Sequence, residues 1–300
     1  MLEIAGRVER AHYAIRDPEI AAKVSELKKN GRSIIEINIG DPGAKRGEYG
    51  FKMPNYIKEE IIGKIRANGE YDGYANEQGE LETREAVAED ARKQGIRDAK
   101  AENVVVGNGL SELIDYLFGV TVEKGKNIIL PKPDYPLYTA RVKWYEGEVR
   151  NYDMDYENEW QPKVEDIGEK IDRNTVAVVL INPNNPTGAT FERESLKATI
   201  DIVQDKGKGE VAIISDEIYR LLRFDGKKHI STASLTTEVP VITLDGFSKG
   251  YYSPGWRIGN MLFSNFKNRN IIKAMIKVCG FRLSANNAAQ CAYAKAVRDR

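Results

Sequence analysis

The chain has 300 residues, 41% of them hydrophobic, and its 45 basic and 45 acidic side chains give a formal net charge of zero. This length supports one large domain or two modest ones with an ample core. The balanced, interspersed charges argue against a nucleic-acid partner, and the lack of a signal-peptide core or a transmembrane-length run predicts a cytoplasmic protein without membrane contact.

The few cysteines and histidines argue against metal chemistry. Cys279 and Cys291 stand in no metal-binding spacing and are expected to be buried, reduced thiols. His12 and His229 lie far apart and belong to no motif, so neither a zinc site nor a His-based triad is predicted. Any proton transfer must then use another type of side chain.

The N-terminal part of the chain predicts one helix with irregular segments after it. The helix begins at Asp17, with Pro18 in its first turn, and ends near Gly31. A short strand over 34–39 and a charged, glycine-bearing loop over 44–53 follow. The loop is predicted to be an exposed connector.

The rest of the chain predicts an alternation of helices and strands. Helices are predicted over 55–67, 80–94, 111–122 and 193–205. Seven strands are predicted: 104–106, 127–130, 149–152, 176–181, 211–215, 241–244 and 258–263. Continuous apolar strands that alternate with helices indicate a three-layer α/β/α fold with a mostly parallel, seven-stranded sheet. In such sheets a ligand binds outside the carboxyl ends of the strands.

A small, polar loop follows the first of these strands. It comprises residues 107–111, Gly-Asn-Gly-Leu-Ser, and leads into a helix, so its backbone N–H groups and the helix dipole can hold an anion. A dinucleotide fingerprint would need a third glycine at position 112, where Glu112 stands. The loop therefore predicts a site for a single phosphate, and we call residues 107–111 the cup.

Two more strand ends carry side chains suited to a flat ligand. Tyr135 follows the second strand in a proline-rich loop and could lay its ring over a heteroaromatic group. Asn185 lies in the turn Asn-Pro-Asn-Asn-Pro-Thr-Gly after the strand over 176–181, where prolines on both sides stiffen the backbone. The turn is predicted to present Asn185 as a donor to a phenolate-like oxygen.

An acidic residue, Asp216, follows the strand over 211–215. A buried carboxylate is costly unless it faces a positive partner, and a protonated pyridine nitrogen would be such a partner. At ~3 Å and an effective dielectric of ~20, their attraction is on the order of 5 kcal/mol before desolvation. Tyr219, three residues later, is predicted to reach the same side as Asn185.

Lys249 and Arg257 follow the strand over 241–244. Desolvation at the end of a buried strand can lower the pKa of a lysine and make it a nucleophilic amine. The planar fork of Arg257 suits a phosphate. Each strand end alone has an ordinary structural explanation, but five together predict a site for pyridoxal phosphate, which needs an amine for its aldehyde and an anchor for its phosphate.

Three motifs make the sequence resemble the fold type I pyridoxal-phosphate aminotransferases of class I and II: NNPTG at 184–188, SDEIY at 215–219 and SKGYYSPGWRIG at 248–259. The resemblance spans essentially the whole chain. The alanine aminotransferase branch is the most similar, on the segments at 13–18, 37–42 and 107–113.

The resemblance implies a role for each residue at the strand ends. Lys249 would form the internal aldimine and carry the 1,3-proton shift, which fits the shortage of histidines. Asp216 would pair with the pyridine nitrogen. Asn185 and Tyr219 would hold the ring oxygen, and Tyr135 would stack on the ring face. Arg257 and the backbone at Asn108, Gly109 and Leu110 would hold the phosphate.

The resemblance also implies contacts with the substrate and with a second subunit. Gly40, Tyr13 and Asn185 would contact the substrate. Tyr74 would reach the phosphate in the neighbouring subunit, which implies a homodimer with shared active sites. Residues 1–50 would form an arm and the N-terminal part of a small domain, and residues 51–300 the large cofactor-binding domain.

Two features depart from the family pattern. Gly246 stands three residues before the lysine, where many relatives carry a phosphate-binding serine, and Ser248 adjoins the lysine instead. The chain also ends at Arg300, inside a helix predicted to begin near Asn286 and before the position of the family's carboxylate-binding arginine. Most of the C-terminal small domain is therefore expected to be missing. Loss of such a charged partner typically costs several kcal/mol in binding.

The resemblance predicts an enzyme that moves an amino group between an L-amino acid and a 2-oxo acid through a lysine-bound pyridoxal phosphate. Alanine is the favoured donor, with 2-oxoglutarate or pyruvate as the 2-oxo acid. Three alternatives stay open: an aspartate aminotransferase, a carbon–sulfur lyase on the same scaffold, and a truncated chain that binds the cofactor without turnover.

Overall fold

The computed structural model describes residues 2–10, 13, 18–35, 40–42, 51–224, 226 and 228–299. The predicted helix start at Asp17, part of the strand over 34–39 and most of the loop over 44–53 lie outside these residues. The described part of the chain forms ten helices: α1 (Arg7–Arg10), α2 (Pro18–Lys29), α3 (Asn55–Arg66), α4 (Leu81–Lys93), α5 (Leu110–Thr121), α6 (Pro136–Trp144), α7 (Val164–Lys170), α8 (Arg193–Gly207), α9 (Asn270–Cys279) and α10 (Asn287–Arg298).

The same residues form eight strands: β1 (Val104–Gly107), β2 (Asn127–Lys132), β3 (Glu148–Asp155), β4 (Gln161–Pro162), β5 (Thr175–Ile181), β6 (Ala212–Asp216), β7 (Val241–Gly246) and β8 (Gly259–Ser264). All seven predicted strands are present, with ends within three residues of the prediction. The additional strand, β4, has only two residues, which is too short to show an alternating pattern.

The strands form one mixed sheet with the order β1-β8-β7-β6-β5-β2-β3-β4. The pairs β7·β6, β6·β5, β5·β2 and β2·β3 are parallel, whereas β8 runs antiparallel to both of its neighbours and β4 is antiparallel to β3. The predicted mostly parallel sheet is therefore confirmed for the five strands from β7 to β3.

Both faces of the sheet are covered by helices. Successive strand residues alternate between two hydrophobic clusters, with Val104 and Val106 in one and Val105 in the other. The first cluster includes side chains from α3, α4, α7, α8 and α10, and the second includes side chains from α5, α6 and α9. Strands buried on both faces explain the continuous Val and Ile runs in the sequence and confirm the three-layer α/β/α fold.

The strand register brings four loops to one edge of the sheet. Ile181 of β5 pairs with Asp216 of β6, which pairs with Leu244 of β7, so these parallel strands end side by side. Because β8 is antiparallel, its first residue, Gly259, lies at this edge and pairs with both Gly107 and Gly246. The loops that follow β5 and β6, the cup after β1 and the loop that joins β7 to β8 therefore meet. No helix in the described ranges is long and apolar enough to cross a membrane.

Candidate active site

Asp216 is the last residue of β6, and its carboxylate is held from two sides. The side chain is buried, with 4% of the residue exposed. The hydroxyl of Tyr138 donates to Oδ2 at 2.7 Å, and the backbone N–H of Ile218 donates to Oδ1 at 3.2 Å. Burial raises the pKa of Asp216 to about 6, although both hydrogen bonds act in the opposite direction. A carboxylate in this position is primed to accept a cationic partner.

Tyr138 is a site residue that the sequence analysis did not identify. It is completely buried in α6, three residues after Tyr135, and its ring meets the Tyr135 ring edge-on at 6.4 Å between centroids. Residues three apart on a helix lie on the same face, so the spacing from Tyr135 was the available signal. The partner of its hydroxyl, Asp216, is 78 residues away in sequence and could not be predicted.

Lys249 lies beyond the end of β7, and its amine is half-buried. Nζ donates to the carbonyl oxygen of Gly40 at 2.5 Å and lies 5.9 Å from the centroid of the Tyr219 ring. Burial lowers the pKa of Lys249, while Asp41 and Asp216 oppose that shift. The structure thus brings Lys249, Gly40 and Tyr219 together, and the direction of the pKa shift agrees with the expected nucleophilic amine.

The turn at 182–188 is held by its own asparagines. The Asn184 Oδ1 atom accepts hydrogen bonds from the backbone N–H of Thr187 at 3.3 Å and from its hydroxyl at 2.9 Å. The Asn182 N–H donates to the Asp216 carbonyl oxygen at 2.9 Å, which connects this turn to the end of β6. The Asn185 side chain stays directed toward Tyr219, with Nδ2 at 3.4 Å from the hydroxyl oxygen. Burial, assisted by the charge of Asp216, raises the pKa of Tyr219 to about 12.

Tyr135 and Tyr13 contact each other at the same sheet edge. Their hydroxyl oxygens are 3.0 Å apart, and their rings meet edge-on at 6.5 Å between centroids. Burial raises the pKa of Tyr135, so its hydroxyl stays protonated at neutral pH. Of the resemblance segment at 13–18 the structure describes Tyr13 and Pro18, and residues 37–39 of the second segment lie outside the described ranges.

The cup has a left-handed bend at Gly109, where φ is 84°. The Asn108 N–H donates to the Glu112 carboxylate at 2.6 Å, and the Gly109 N–H donates to the Gly107 carbonyl at 2.8 Å. Leu110 provides the first residue of α5. The two predicted donors at Asn108 and Gly109 are therefore engaged within the chain, and Leu110 places the positive end of the α5 dipole at the cup.

Arg257 lies beside the cup. Its Nη2 donates to the Asn108 carbonyl at 3.4 Å, and its Nη1 donates to the Pro254 carbonyl at 3.0 Å. A Cβ atom added at Gly109 would lie 2.8 Å from the guanidinium carbon of Arg257, and one at Gly259 would lie 2.9 Å from the Leu110 nitrogen. The two glycines therefore allow Arg257 to approach the cup, and β8 to approach the start of α5, more closely than any side chain would permit.

Gly246 lies where a serine side chain would collide with the backbone. A Cβ atom at this position would lie 2.6 Å from the carbonyl oxygen of Ile258 and 2.9 Å from the Cα atom of Gly259. Both are backbone atoms of the adjacent chain segment, so they cannot move aside cheaply. Ser248 is half-buried.

We expect Gly246→Ser to lower the free energy of unfolding by about 1–3 kcal/mol, because the added atoms overpack the junction of β7 and β8. Denaturant unfolding measures this difference. Gly255→Ser is the matched control, since a Cβ atom at Gly255 meets nothing within 4 Å. Equal stability of the two variants would contradict the steric explanation.

Tyr74 has no described contact with the other predicted site residues, and 80% of its surface is exposed. Its loop is nevertheless anchored. Gln78 Nε2 donates to the Val104 carbonyl at 2.8 Å, and Asn287 Nδ2 donates to the Gly73 carbonyl at 3.4 Å. An exposed tyrosine on a fixed loop is available to a neighbouring molecule.

Comparison with known proteins assigns the chain to a family. Residues 33–300 match the aminotransferase class I and II family. The chain belongs to this family, and the protein is a pyridoxal-phosphate-dependent aminotransferase.

The relatives include enzymes named for alanine. The glutamate-pyruvate aminotransferase AlaA of Escherichia coli K12 is 32% identical over 291 residues, which cover 96% of this chain and 69% of that protein. An alanine aminotransferase of Mycobacterium tuberculosis H37Rv is 33% identical over 95% of this chain and 65% of its own length. The structure of alanine aminotransferase from Pyrococcus furiosus superposes with a TM-score of 0.90 at 35% identity, over 98% of this chain and 72% of that one. An aspartate aminotransferase from Thermus thermophilus superposes with a TM-score of 0.85 at 28% identity.

Proposed function

We propose that this protein transfers the amino group of L-alanine to a 2-oxo acid, with 2-oxoglutarate as acceptor and pyruvate as product. The observation that carries the proposal is the convergence of Lys249, Asp216 and the Asn185–Tyr219 pair at one sheet edge. The choice of alanine is supported by the relatives named glutamate-pyruvate and alanine aminotransferase.

The residues at this edge fit pyridoxal phosphate. Gly109 and Gly259 bring the Arg257 guanidinium and the N-terminus of α5 to the cup, and these positive groups suit the phosphate. The buried Asp216 carboxylate, with its raised pKa, suits the protonated pyridine nitrogen. The amide of Asn185 and the hydroxyl of Tyr219 suit the ring oxygen, and Tyr135 suits the ring face.

Bound pyridoxal phosphate supplies the aldehyde and the electron-withdrawing ring that make the Cα–H bond of an amino acid acidic. In this proposal the Lys249 amine holds the cofactor and then moves the proton at Nζ. Its lowered pKa supports this task, because a general base works best when its pKa is near the operating pH. Asp216 stabilises the positive charge of the ring nitrogen, and Tyr138 orients Asp216.

Gly40, Tyr13 and Asn185 are assigned to the substrate side. The Gly40 carbonyl contacts the amine of Lys249, and the Tyr13 hydroxyl contacts that of Tyr135, so both residues border the cofactor space. Neutral tyrosine hydroxyls can hold a substrate carboxylate by hydrogen bonding without a full counter-charge.

We further propose a cytoplasmic homodimer. Tyr74 supports the shared site, because its exposed ring on an anchored loop can reach a second subunit. The buried, free thiols of Cys279 and Cys291 support a reducing compartment. Residues 1–50 would belong to a small domain and an arm, and residues 51–300 to the large domain. Sedimentation velocity measures the oligomeric state, and a monomer at micromolar concentration would contradict the shared site.

The half-reaction with single amino acids tests the proposed substrate. We expect L-alanine to convert the cofactor to its aminated form with a kcat/KM at least about tenfold higher than that of L-aspartate. The loss of cofactor absorbance and the pyruvate formed are measured together. A preference for L-aspartate would favour the rival donor, and release of ammonia would favour a lyase. A cofactor-loaded protein that reacts with no amino acid would indicate binding without turnover.

A further inference from the structure

A negative charge, that of Glu112, lies directly after the cup and contacts it. Glu112, in the first turn of α5, accepts hydrogen bonds from the Asn108 backbone N–H at 2.6 Å and from the Asn108 side-chain amide at 3.1 Å. Its side chain is only 18% exposed. A Cβ atom at Gly107 would lie 2.9 Å from Glu112 Oε2, so the carboxylate fills the space beside that glycine. An unneutralised carboxylate here would repel a phosphate.

A second buried charge, Arg282, lies against this carboxylate. Its Nε is 2.9 Å from Glu112 Oε2, and its side chain is 10% exposed. Nη2 donates to the carbonyl of Val106, the residue directly before the cup, at 2.8 Å. Arg282 lies 170 residues after Glu112 in the sequence, in the short segment between α9 and α10, so the tertiary fold alone brings the two together.

The guanidinium acts here mainly through its charge. Within the described chain, Nη2 donates to a backbone carbonyl, whereas Nε faces the Glu112 carboxylate at 2.9 Å without a well-aligned hydrogen bond. A cation that is removed from water is costly unless its charge is compensated. Glu112 provides that compensation, and Arg282 in turn cancels the charge that Glu112 brings to the cup.

A third contact ties the cup to the same region of the chain. The Asn286 N–H donates to Asn108 Oδ1 at 3.1 Å, and Asn286 also caps α10 by accepting from the Ala289 N–H at 2.9 Å. The Asn108 side chain is therefore held at both ends, by Glu112 and by Asn286. With Glu112 neutralised by Arg282, Arg257 and the N-terminus of α5 supply positive charge at the cup.

We propose that Arg282 is a positioning residue for the cofactor phosphate and that it acts through Glu112. It neutralises the Glu112 carboxylate and holds it on the Asn108 amide, so the cup keeps its shape and accepts a phosphate ester rather than repelling it. The inference rests on the proposed role of the cup in binding the phosphate of pyridoxal phosphate.

The test compares two ligands that differ only in the phosphate, pyridoxal phosphate and pyridoxal. We expect Arg282→Met, which keeps much of the side-chain volume, to weaken the binding of pyridoxal phosphate by at least about tenfold. Its effect on pyridoxal should be less than about threefold, because pyridoxal brings no charge to the cup. Equilibrium dialysis of the apoprotein gives both dissociation constants, and thermal unfolding checks that the variant is folded.

The double variant Arg282→Met/Glu112→Gln separates charge from packing. If Arg282 serves to neutralise Glu112, removing both charges should restore most of the affinity for pyridoxal phosphate that Arg282→Met loses. Arg84→Met is the matched control, since Arg84 is also partly buried and donates to two backbone carbonyls, those of Gly79 and Ala101. It should leave the affinity for both ligands unchanged.

Three results would overturn the inference: no recovery in the double variant, equal weakening for both ligands, or an unchanged affinity in Arg282→Met. If Arg282→Met does not fold, the single variant Glu112→Gln tests the inference. We expect this variant to bind pyridoxal phosphate at least about threefold more tightly than the unmodified protein does, with an unchanged affinity for pyridoxal. An unchanged affinity for pyridoxal phosphate would then reject the inference. Failure of the proposed cofactor site looks different, because the unmodified protein would then bind neither ligand, and a failed substrate assignment leaves the binding of both ligands unchanged.

Discussion

Replacement of Lys249 by alanine is expected to lower the rate of amino transfer by at least about 10³-fold. The variant loses both the amine that holds the cofactor and the group that moves the proton, and a positioned general base alone contributes 10²–10⁴-fold. Borohydride reduction followed by peptide mapping measures the covalent lysine–cofactor link. In the unmodified protein we expect the cofactor on Lys249, and in the variant we expect no labelled peptide.

Lys132 provides the matched control for this experiment. It is the exposed last residue of β2, so it is also a lysine at the carboxyl end of a parallel strand. Lys132→Ala should keep both the label on Lys249 and the rate of transfer. A labelled peptide that contains another lysine, in either variant, would show that the assignment of Lys249 is wrong.

Replacement of Asp216 by asparagine is expected to reduce kcat by about 10²–10³-fold with a smaller effect on KM. The amide has nearly the same shape but no charge, so it cannot keep the ring nitrogen positive while the Cα–H bond breaks. Steady-state kinetics with saturating cofactor measure the change. A variant with an unchanged kcat would remove Asp216 from the proposed site.

The same substitution should stabilise the protein in the absence of cofactor. The pKa of Asp216 is about 6 in the folded chain against 3.8 for an ordinary aspartate. A folded-state pKa that is raised means that the folded state binds the proton more tightly, so stability is lost as pH rises from about 4 to about 6. Above pH 6 the charged carboxylate costs about 3 kcal/mol, which the asparagine variant should regain. At pH 3 the two proteins should be equally stable.

Glu217 is an internal control for the sign of this effect. It is as buried as its neighbour Asp216, but the pKa of Glu217 is lowered, because its ion pair with His229 and the hydroxyls of Ser231 and Ser215 outweigh burial. Glu217→Gln should therefore destabilise the apoprotein above pH 5, where Asp216→Asn stabilises it. Denaturant unfolding at several pH values measures both, and a shift of the same sign in both variants would contradict the electrostatic explanation.

The local pattern of residues was enough to predict the elements that carry the site. Each strand end has a short-range cause: apolar β-branched runs form buried strands, and the polar, glycine- or proline-containing segments that follow them form loops. The parallel alternation then predicts that these loops share an edge. For this reason the sequence alone could predict that Lys249, Asp216 and Asn185 are site residues.

Contacts between distant segments could not be predicted in this way. Tyr138 and Asp216 are 78 residues apart, and no periodicity encodes their hydrogen bond. Glu112 and Arg282 also contact each other although they are 170 residues apart in the sequence. The antiparallel direction of β8 also has no local signature, because a buried strand has the same sequence pattern in either direction. This direction nevertheless brings Arg257 to the cup.

The sequence by itself determined the class of fold, the order of its elements and the residue types at each strand end, because these depend on side-chain periodicity and turn chemistry within a few residues. Only the tertiary structure decided which charges face each other and which are buried. The pKa of Asp216, the steric exclusion of a side chain at Gly246 and the neutralisation of Glu112 by Arg282 all depend on atoms brought together from separate segments. Desolvation and Coulomb energies depend on distance in space rather than on separation along the chain.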